Sequence, residues 1–496
     1  MPDPRPDPTL GLDPAAAAAP APARKPRRGD LLDVLVEGID HRGVGLARAG
    51  DATLKLRFAT PGSRVRARVL RRGGKGRYDA AVEEVTDPGP HAAEQHCDHA
   101  GLCGGCAQPR TAYGEELRQK RRLVEEALVT AWREAELDGA DALLAAMPDV
   151  LGAERLWGYR NKMDFTFGNR RFVPKTEPEG AEADFALGLH VPRFHQKVLD
   201  VTGCAIAFDG ASALVNSMRE LSRAAGLEPW DLRNHAGLLR HLVVRRGFRT
   251  GETMVDLVTS ARAADRVDPL VAELLVRHPE ITTVVQNVTT RQATVAYGEE
   301  EHVLHGPGHI EEILSGRRFR ISADSFFQTN TEAAERLFGV VAEFAALGDG
   351  GVLFDLYCGA GTIGLAIGEG AARVVGFESV PSAVRDARAN AAANGFGSAE
   401  YHEGDVLETM ARAADERTPD VVVVDPPRAG LHPKVPAKIA ALMSPRIVVV
   451  SCNPRTGTRD VAALVREGYA VRAMRPVDLF PHTPHVELVF QLERVR

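Results

Sequence analysis

Two side chains able to do chemistry follow apolar runs near the end of the chain. Cys452 comes directly after the valines of VVVSCNPR, and Asp425 ends the run VVVVDPPR. Ligands of open parallel sheets bind outside the carboxyl ends of the strands, so we expect both side chains at one crevice. A thiol in that place can serve as a nucleophile. The alternative is a packing residue, because free cysteines are usually buried and inert.

Four further cysteines have a spacing that is typical of a metal centre. Cys97, Cys103 and Cys106 follow the pattern C-x5-C-x2-C, and Cys204 stands alone far downstream. Six cysteines in so long a chain do not make a disulfide scaffold, and such a spacing indicates metal binding or catalysis. Four thiolates suit zinc and equally an iron–sulfur cluster, and the spacing does not choose between them. For Cys204 a free thiol is the alternative.

Length and composition limit the class of protein. A chain of 496 residues exceeds one hydrophobic core and predicts about three domains. The formal net charge of -6 gives no support to nucleic-acid binding, so any basic surface must be local. The sequence shows no apolar stretch of membrane-spanning length and no signal peptide, which favours a cytoplasmic protein.

The N-terminal part divides into a tail and a series of short strands. Residues 1–28 are rich in Pro and Ala and are expected to be disordered. In residues 29–87, short apolar runs separated by Gly and Pro predict a small β-barrel. Within SRVRARV, Arg64, Arg66 and Arg68 alternate with apolar residues and therefore share one strand face. A basic face on a small barrel favours RNA contact over a merely solvated strand.

The C-terminal part carries the features of a nucleotide-type cofactor site. From residue 351 onward, strand-like and helical runs alternate, which predicts a parallel sheet covered on both faces. A glycine-rich turn, DLYCGAGTIGLAIG, joins the first strand to a helix, and Glu378 ends the second strand, where a carboxylate can bind ribose hydroxyls. Asp405 and Asp425 follow later strands. Together with the DPPR sequence, this order resembles the S-adenosylmethionine-dependent methyltransferase fold.

A thiol beside such a cofactor has a specific use. C5 of uracil is a poor nucleophile, but attack of a thiolate at C6 converts the ring to an enolate whose C5 can accept a methyl group. A base must then remove the C5 proton so that the thiolate can leave. This is covalent catalysis joined to general base catalysis.

Five motifs strengthen the resemblance and narrow it to one family. SADSFFQTN, DLYCGAGT, DPPRAGL, SCNP and FPHTPHVE together resemble the RNA 5-methyluridine methyltransferases, over roughly residues 29–496. The resemblance implies that Cys452 is the nucleophile and that Glu487 removes the C5 proton. It implies S-adenosylmethionine binding by Gln328, Tyr357, Glu378, Asp405 and Asp425. It also implies a [4Fe–4S] cluster held by Cys97, Cys103, Cys106 and Cys204.

The same resemblance predicts the architecture. We expect an α/β chain with a small OB- or TRAM-like β-barrel over 29–87, a central α+β domain over 88–320 and a Rossmann-like class I methyltransferase domain over 321–496. The segment GYRNKMDFTFG of the central domain offers aromatic and basic residues for a flipped base, with an ordinary buried strand as the alternative. These residues are Tyr159, Arg160, Lys162, Phe165 and Phe167.

Other functions remain open at this point. RNA cytosine-5 methyltransferases carry their thiol after the fourth-strand proline, where this chain has none, and this favours uracil. A base N-methyltransferase that uses Asp425 without a covalent step is one rival, and a non-catalytic RNA-binding protein is another. Glu487 can also be a plain strand residue, and His482 and His485 can either adjust it or fill the core. We expect a monomer, with ribosomal RNA favoured over transfer RNA as substrate because of the barrel.

Overall fold

A computed structural model describes residues 24–293, 296–414 and 418–495. Most of the tail predicted to be disordered lies outside these residues. The chain divides into two compact units. The first takes in the described residues up to Glu94 with Arg110–Glu115, and the second takes in Gln95–Pro109 and the chain from Glu116 onward.

The first unit is a closed five-stranded barrel. Its strands run in the order β1-β2-β3-β5-β4, and β1 closes the barrel by pairing with β4. Alternate side chains of each strand are buried in its interior, as the period of two requires. The strands are β1 (Leu31–Ile39), β2 (Gly45–Ala49), β3 (Ala52–Leu56), β4 (Arg64–Arg72) and β5 (Arg77–Asp87).

The arginines of β4 lie on the outer face of the barrel, as the alternation predicted. Acidic side chains of β1 and β5 stand opposite them, so the face is of mixed charge rather than purely basic. The ion pairs are Arg66 with Asp33 and Glu84, Arg68 with Glu83, and Arg71 with Asp79. RNA contact by this face stays a prediction. The ion pairs offset part of the positive charge that the sequence indicated for it.

The second unit contains two seven-stranded sheets. The central sheet has the order β12-β11-β10-β9-β6-β7-β8 and is antiparallel except for the pair β10–β11. Helices α3 and α4 cover one of its faces. The elements of this region are α1 (Tyr113–Glu134), α2 (Ala140–Ala146), β6 (Lys162–Gly168), β7 (Ala186–Val191), β8 (Phe194–Asp200), α3 (Ala211–Ala224), β9 (Leu239–Arg246), β10 (Thr253–Thr259), α4 (Ala264–Arg277), β11 (Ile281–Val288) and β12 (Glu300–His305).

The C-terminal sheet has the order β17-β16-β15-β18-β19-β21-β20. The first five strands are parallel, and β21 inserts antiparallel between β19 and β20. Its elements, after the hairpin β13 (His309–Leu314) and β14 (Arg317–Ser322), are α5 (Thr331–Ala345), β15 (Val352–Leu356), α6 (Thr362–Ile367), β16 (Arg373–Glu378), α7 (Pro381–Ala393), β17 (Ala399–Glu403), α8 (Val406–Ala414), β18 (Val421–Val424), α9 (Val435–Ala441), β19 (Arg446–Ser451), α10 (Pro454–Arg466), β20 (Tyr469–Val477) and β21 (Glu487–Arg494).

The valine runs form the middle of this sheet because both of its faces are covered. Val421 and Val423 pack into one apolar cluster, and Val422 and Val424 pack into the other. Helix α1 packs its apolar stripe into the second cluster through Val124. The α/β architecture with an N-terminal barrel is therefore confirmed. None of the described helices is long and apolar enough to cross a membrane.

Candidate active site

The carboxyl ends of neighbouring strands bring the predicted reactive residues to one edge of the C-terminal sheet. Glu378 ends β16, Asp425 follows β18 and Cys452 follows β19. Ser451 of β19 pairs with Leu488 of β21 in antiparallel register. Cys452 and Glu487 are the residues that adjoin this last pair, and the charge of Glu487 acts on the Cys452 thiol, so the two side chains lie near each other.

Burial raises the pKa of three acidic groups at this edge. Glu487 is 5% exposed, and burial followed by the charge of Asp425 raises its pKa to about 8. Burial also raises the pKa of Asp425 to about 7. The pKa of the Cys452 thiol is raised to about 12 by burial, then by Glu487 and Asp425. A thiolate at this edge therefore needs a proton acceptor and a positive charge close by.

Arg428 supplies a positive charge at this edge and was missed as a site residue. Its charge acts on both Cys452 and Glu487 and opposes the rise in their pKa values. Its backbone carbonyl accepts a hydrogen bond from Asn453 Nδ2 at 3.2 Å, which ties the Arg428 loop to the Cys452 loop. Arg428 Nη2 lies 3.2 Å from His485 Nδ1. The signal was present in the sequence, because Arg428 is the last residue of DPPR.

The two histidines near Glu487 differ in their surroundings. His482 is buried, lies 2.9 Å from a carboxylate oxygen of Glu116 through Nδ1 and stacks on Trp157 at 3.7 Å, so it is a core residue. His485 lies against Arg428, and burial followed by that charge lowers its pKa to about 4. A neutral His485 thus faces the site.

The glycine-rich turn forms a cradle at the end of β15. Gly359 and Gly361 have φ values of 55° and 78°, a region that glycine enters at no steric cost. A Cβ at Gly361 would lie 2.8 Å from the Tyr401 hydroxyl, so the turn has no room for a side chain there. Glu378 accepts a hydrogen bond from the Gly359 amide at 3.1 Å and fixes the turn to β16.

Asp355 supports this cradle from below and was missed as a site residue, although it opens the motif DLYCGAGT. It is 1% exposed, and its Oδ2 accepts a hydrogen bond from the Gly364 amide at 2.9 Å. Burial raises its pKa to about 7. A buried carboxyl at the start of α6 fixes the helix relative to β15, and the pattern D-x-x-x-G-x-G could have indicated it.

The remaining predicted cofactor residues lie on separate segments. Tyr357 adopts a φ of 64° at the start of the cradle, and its pKa is raised by burial and then by Asp405. Asp405 is exposed and accepts a hydrogen bond from the Leu407 amide at 2.8 Å at the start of α8. Gln328 lies on the loop before α5, where its carbonyl accepts a hydrogen bond from Asn161 at 2.9 Å. Phe326, on the same loop, has a side chain that is 68% exposed.

Replacing Glu378 by glutamine tests the cofactor cradle. The uncharged amide accepts ribose hydroxyls less strongly than a carboxylate, because charged hydrogen bonds contribute ~1.5–3 kcal/mol. We expect the affinity for S-adenosylhomocysteine to fall by roughly ten- to a hundredfold, measured by calorimetry. Glu403→Gln, at the neighbouring exposed end of β17, is the matched control and keeps wild-type affinity. Equal affinities for both variants would contradict the assignment.

The four cysteines outside the sheet edge line one cavity. Cys97, Cys103, Cys106 and Cys204 all face it. The cavity holds about 140 Å3, whereas a water needs only ~10–15 Å3, so it has room for a group of several atoms. His99 Nε2 accepts a hydrogen bond from the Thr202 amide at 3.0 Å and thereby joins the first cysteine loop to the Cys204 segment.

The thiols of this cavity lie close enough for the charges of Cys97 and Cys204 to act on Cys103 and Cys106. Burial raises the pKa of Cys103 to about 12 and also raises those of Cys106 and Cys204. In the parts of the chain that the structure describes, no group of three or more His, Cys, Asp or Glu side chains has the arrangement of a metal-ion site. The amides of Ala107 and Gln108 both donate to the His482 carbonyl, which links this loop to the segment before Glu487.

The aromatic residues of GYRNKMDFTFG do not face RNA. Phe165 and Phe167 are 1% and 2% exposed and pack against the helices of the central sheet. Tyr159 is also buried, and its hydroxyl donates to the Pro481 carbonyl at 3.1 Å. The interpretation that these rings stack on a flipped base is wrong, since period two placed Phe165 and Phe167 on the covered face of the sheet.

Comparisons with known proteins agree with this site. The family model described as tRNA (Uracil-5-)-methyltransferase matches residues 295–403 and 409–495. An uncharacterized RNA methyltransferase of Caldanaerobacter subterraneus is 36% identical over 94% of this chain and 99% of its own length. One of Chlorobaculum tepidum is 36% identical over 94% of this chain and 97% of its own.

A solved structure extends the agreement to the whole architecture. The Pyrococcus abyssi tRNA (uracil-54, C5)-methyltransferase in complex with S-adenosyl-L-homocysteine has a TM-score of 0.71 and 26% identity, covering 93% of this chain and 99% of that chain. Fold and site together define an S-adenosylmethionine-dependent RNA methyltransferase. This chain belongs to the RNA (uracil-5-)-methyltransferase family.

Proposed function

We propose that this enzyme transfers a methyl group from S-adenosylmethionine to C5 of a uridine in structured RNA, through a covalent bond between Cys452 and C6. The observation that carries the proposal is that Cys452 follows the last β19–β21 pair, Ser451 with Leu488, close enough to the buried Glu487 for its charge to act on the thiol. A thiol with a neighbouring proton acceptor is the arrangement that covalent catalysis requires. A base N-methyltransferase using Asp425 has no use for this pair.

The proposed reaction has three steps: addition of the thiolate to C6, methyl transfer to C5 and release of the thiolate. The Cys452 thiol gives up its proton, and the sulfur forms a bond to C6 while the C5–C6 double bond becomes an enolate. C5 then forms a bond to the methyl carbon, and the bond between that carbon and the sulfonium sulfur breaks. Glu487 removes the C5 proton, the double bond returns and the C6–sulfur bond breaks. The products are 5-methyluridine, S-adenosylhomocysteine and the free thiolate, with the C5 proton on Glu487 and the original thiol proton released to solvent water.

The electrostatics of the site suit this order. The pKa of Glu487, raised to about 8, makes it a stronger base than an exposed carboxylate. The negative charges of Glu487 and Asp425 raise the pKa of the Cys452 thiol, and the positive charge of Arg428 lowers it. Asn453 donates a hydrogen bond to the backbone carbonyl of Arg428. Bound S-adenosylmethionine supplies the methyl group and a sulfonium charge, and we assign its binding to Gln328, Tyr357, Glu378, Asp405 and Asp425.

The substrate of the proposed reaction is either ribosomal or transfer RNA. The barrel first favoured ribosomal RNA. The Pyrococcus abyssi relative, which covers 93% of this chain, acts on transfer RNA, so the barrel does not separate the two. We propose one uridine of a structured ribosomal or transfer RNA as the substrate of a monomeric cytoplasmic enzyme. Residues 29–87 would act as a TRAM-like RNA-binding barrel, 88–320 as the cluster-bearing domain and 321–496 as the catalytic domain.

Analysis of modified nucleosides tests this function. The purified protein, S-adenosylmethionine and unmodified total RNA should yield 5-methyluridine after digestion to nucleosides, detected by mass spectrometry. Sequencing around the modified position then separates ribosomal from transfer RNA. A product methylated on a ring nitrogen would support the rival that uses Asp425, and no methylated product at all would support a non-catalytic RNA-binding protein.

We also propose that the cysteine cavity holds a [4Fe–4S] cluster. Four thiols that line one cavity can each ligate one iron of a cluster, which is the group that the family resemblance implies, and a single zinc ion is the alternative. A resident cluster would supply the positive charge that thiolates in this cavity need. The cluster would hold Cys97–Cys106 against the Cys204 segment and so support the His482 loop.

Metal analysis tests this cluster. Protein purified without oxygen should contain about four iron and four sulfide per chain and absorb visible light. Cys204→Ser should lose most of the iron, whereas Cys358→Ser, a thiol buried in the C-terminal sheet, should keep it. One zinc per chain without sulfide would contradict the proposal. Iron content is measured independently of methyl transfer, so the result does not depend on finding the RNA.

A further inference from the structure

A second cavity lies in the central sheet, apart from the cysteine cavity and the reaction edge. It opens where β6 ends and β9 begins, and it is lined by Thr166, Asn169, Gln196, Trp230 and His241 among others. It holds about 40 Å3, room for about three water-sized groups. A cavity of this size takes the edge of a small ring rather than a whole nucleotide.

The wall of this cavity contains a buried arginine that is held by neutral groups. Arg240 is 2% exposed, and its guanidinium lies 4.6 Å from the centre of the Trp230 ring. It donates to three backbone carbonyls, those of Thr289, Arg291 and Ala293. No carboxylate of the described residues pairs with it. A cation fixed by neutral dipoles leaves a positive potential at the wall.

The mouth of the cavity adds two more guanidinium groups. Arg170 Nη1 and Arg233 Nη2 each donate to the neutral Gln196 Oε1 at 2.9 Å. Asp231 is the nearby acid, and its carboxylate accepts from Asn169 Nδ2 and from backbone amides of its own turn. Three arginines therefore face one carboxylate, which leaves the mouth with a net positive charge.

This composition matches one unpaired nucleotide. Aromatic rings and guanidinium planes stack on an unpaired base. Exposed arginines bind phosphate because their charge and their hydrogen-bond geometry both match it. His241, whose pKa is lowered to about 4 by burial and Arg240, presents a neutral ring that can hydrogen-bond a base edge. A double-stranded helix presents no free base edge to so narrow a cavity.

Strand β6 connects this cavity to the reaction site. At one end Asn161, directly before β6, donates to the Gln328 carbonyl, and at the other end Thr166 and Asn169 line the cavity. At ~3.3 Å per residue, the strand spans about 20 Å between Asn161 and the cavity. Thr166 pairs with His241, on the sheet face that the helices leave uncovered.

We infer that this cavity binds one unpaired nucleotide of the RNA substrate, with its base edge between Trp230 and His241 and its phosphate on Arg170 and Arg233. The inference rests on RNA as the substrate and adds a second anchor apart from the reacting uridine. Such an anchor selects RNAs that carry a second unpaired base near the target, and so contributes to target choice.

Binding of a fluorescein-labelled single strand of about a dozen mixed nucleotides to the full-length protein tests this inference. Arg170→Ala with Arg233→Ala removes the two exposed donors. We expect roughly tenfold weaker binding, and a slope of log affinity against log salt that falls by ~0.7, the amount for one phosphate that is no longer neutralised. The matched control, Arg266→Ala with Arg277→Ala, removes the same charge from α4 and keeps wild-type binding.

Three results would overturn the inference. These are unchanged binding by the first variant, an equal loss of affinity in the control, and an equal loss for a duplex of the same sequence. Unchanged affinity for S-adenosylhomocysteine verifies folding, and Arg170→Gln with Arg233→Gln replaces the alanine variant if that protein fails to fold. Because this assay needs no methyl transfer, it separates the nucleotide cavity from the proposed reaction.

Discussion

Replacing Cys452 by alanine should abolish methyl transfer. In the proposed reaction the thiol activates C5. Loss of a catalytic nucleophile lowers turnover by roughly four orders of magnitude or more. The measurement is transfer of labelled methyl groups from S-adenosylmethionine to RNA under single-turnover conditions.

Two controls separate lost chemistry from lost structure. Cys452→Ala should keep wild-type affinity for S-adenosylhomocysteine and for RNA, since the half-buried thiol belongs to neither the glycine turn nor the core clusters. Glu493→Gln, at the far end of β21 from this edge, should retain turnover within a few-fold. Residual transfer of more than about a tenth in Cys452→Ala would exclude it as the nucleophile.

Glu487→Gln should trap the enzyme on ordinary RNA. Glutamine cannot remove the C5 proton, so the methylated adduct has no route to release the thiolate. We expect turnover to fall by about two to four orders of magnitude, while a protein–RNA adduct accumulates that survives denaturation. The measurement is a denaturing gel with labelled RNA, and Glu493→Gln, at the far end of β21, is the matched control. Slow turnover without an adduct would contradict the assignment of Glu487 as the base.

The pH dependence gives a second test of the same residue. Burial and Asp425 raise the pKa of Glu487 to about 8, so below that pH the base is mostly protonated and inactive. The single-turnover rate of the wild type should therefore rise with pH through about 8. In Glu487→Gln the residual rate should lack this rise. A wild-type rate that stays flat across this pH range would contradict a buried base.

The sequence predicted the reaction edge well because strand ends define it. The valine runs marked buried parallel strands, and residues after such strands must meet at one edge. Cys452, Asp425 and Glu378 could be placed by this rule alone. The antiparallel insertion of β21 could not be derived from periodicity, and it is this insertion that sets Glu487 near Cys452.

Other features depended on contacts between distant segments. Cys204 faces the same cavity as Cys106 because the His99 and Thr202 segments meet, which no spacing rule predicts. The arginines of β4 formed a basic face in sequence, but β5 brings acids against them. Period two placed Phe165 on one face correctly, yet only the position of the helices decides which face is covered.

The most direct test of the central claim uses RNA that carries 5-fluorouridine. Fluorine at C5 cannot leave as a proton, so the bond between Cys452 and C6 should persist after methyl transfer. Wild-type enzyme with S-adenosylmethionine and this RNA should give an adduct on a denaturing gel, and Cys452→Ala should give none. Peptide mapping should place the RNA on the peptide that contains Cys452. An enzyme that methylates ordinary RNA but forms no such adduct would contradict the covalent mechanism.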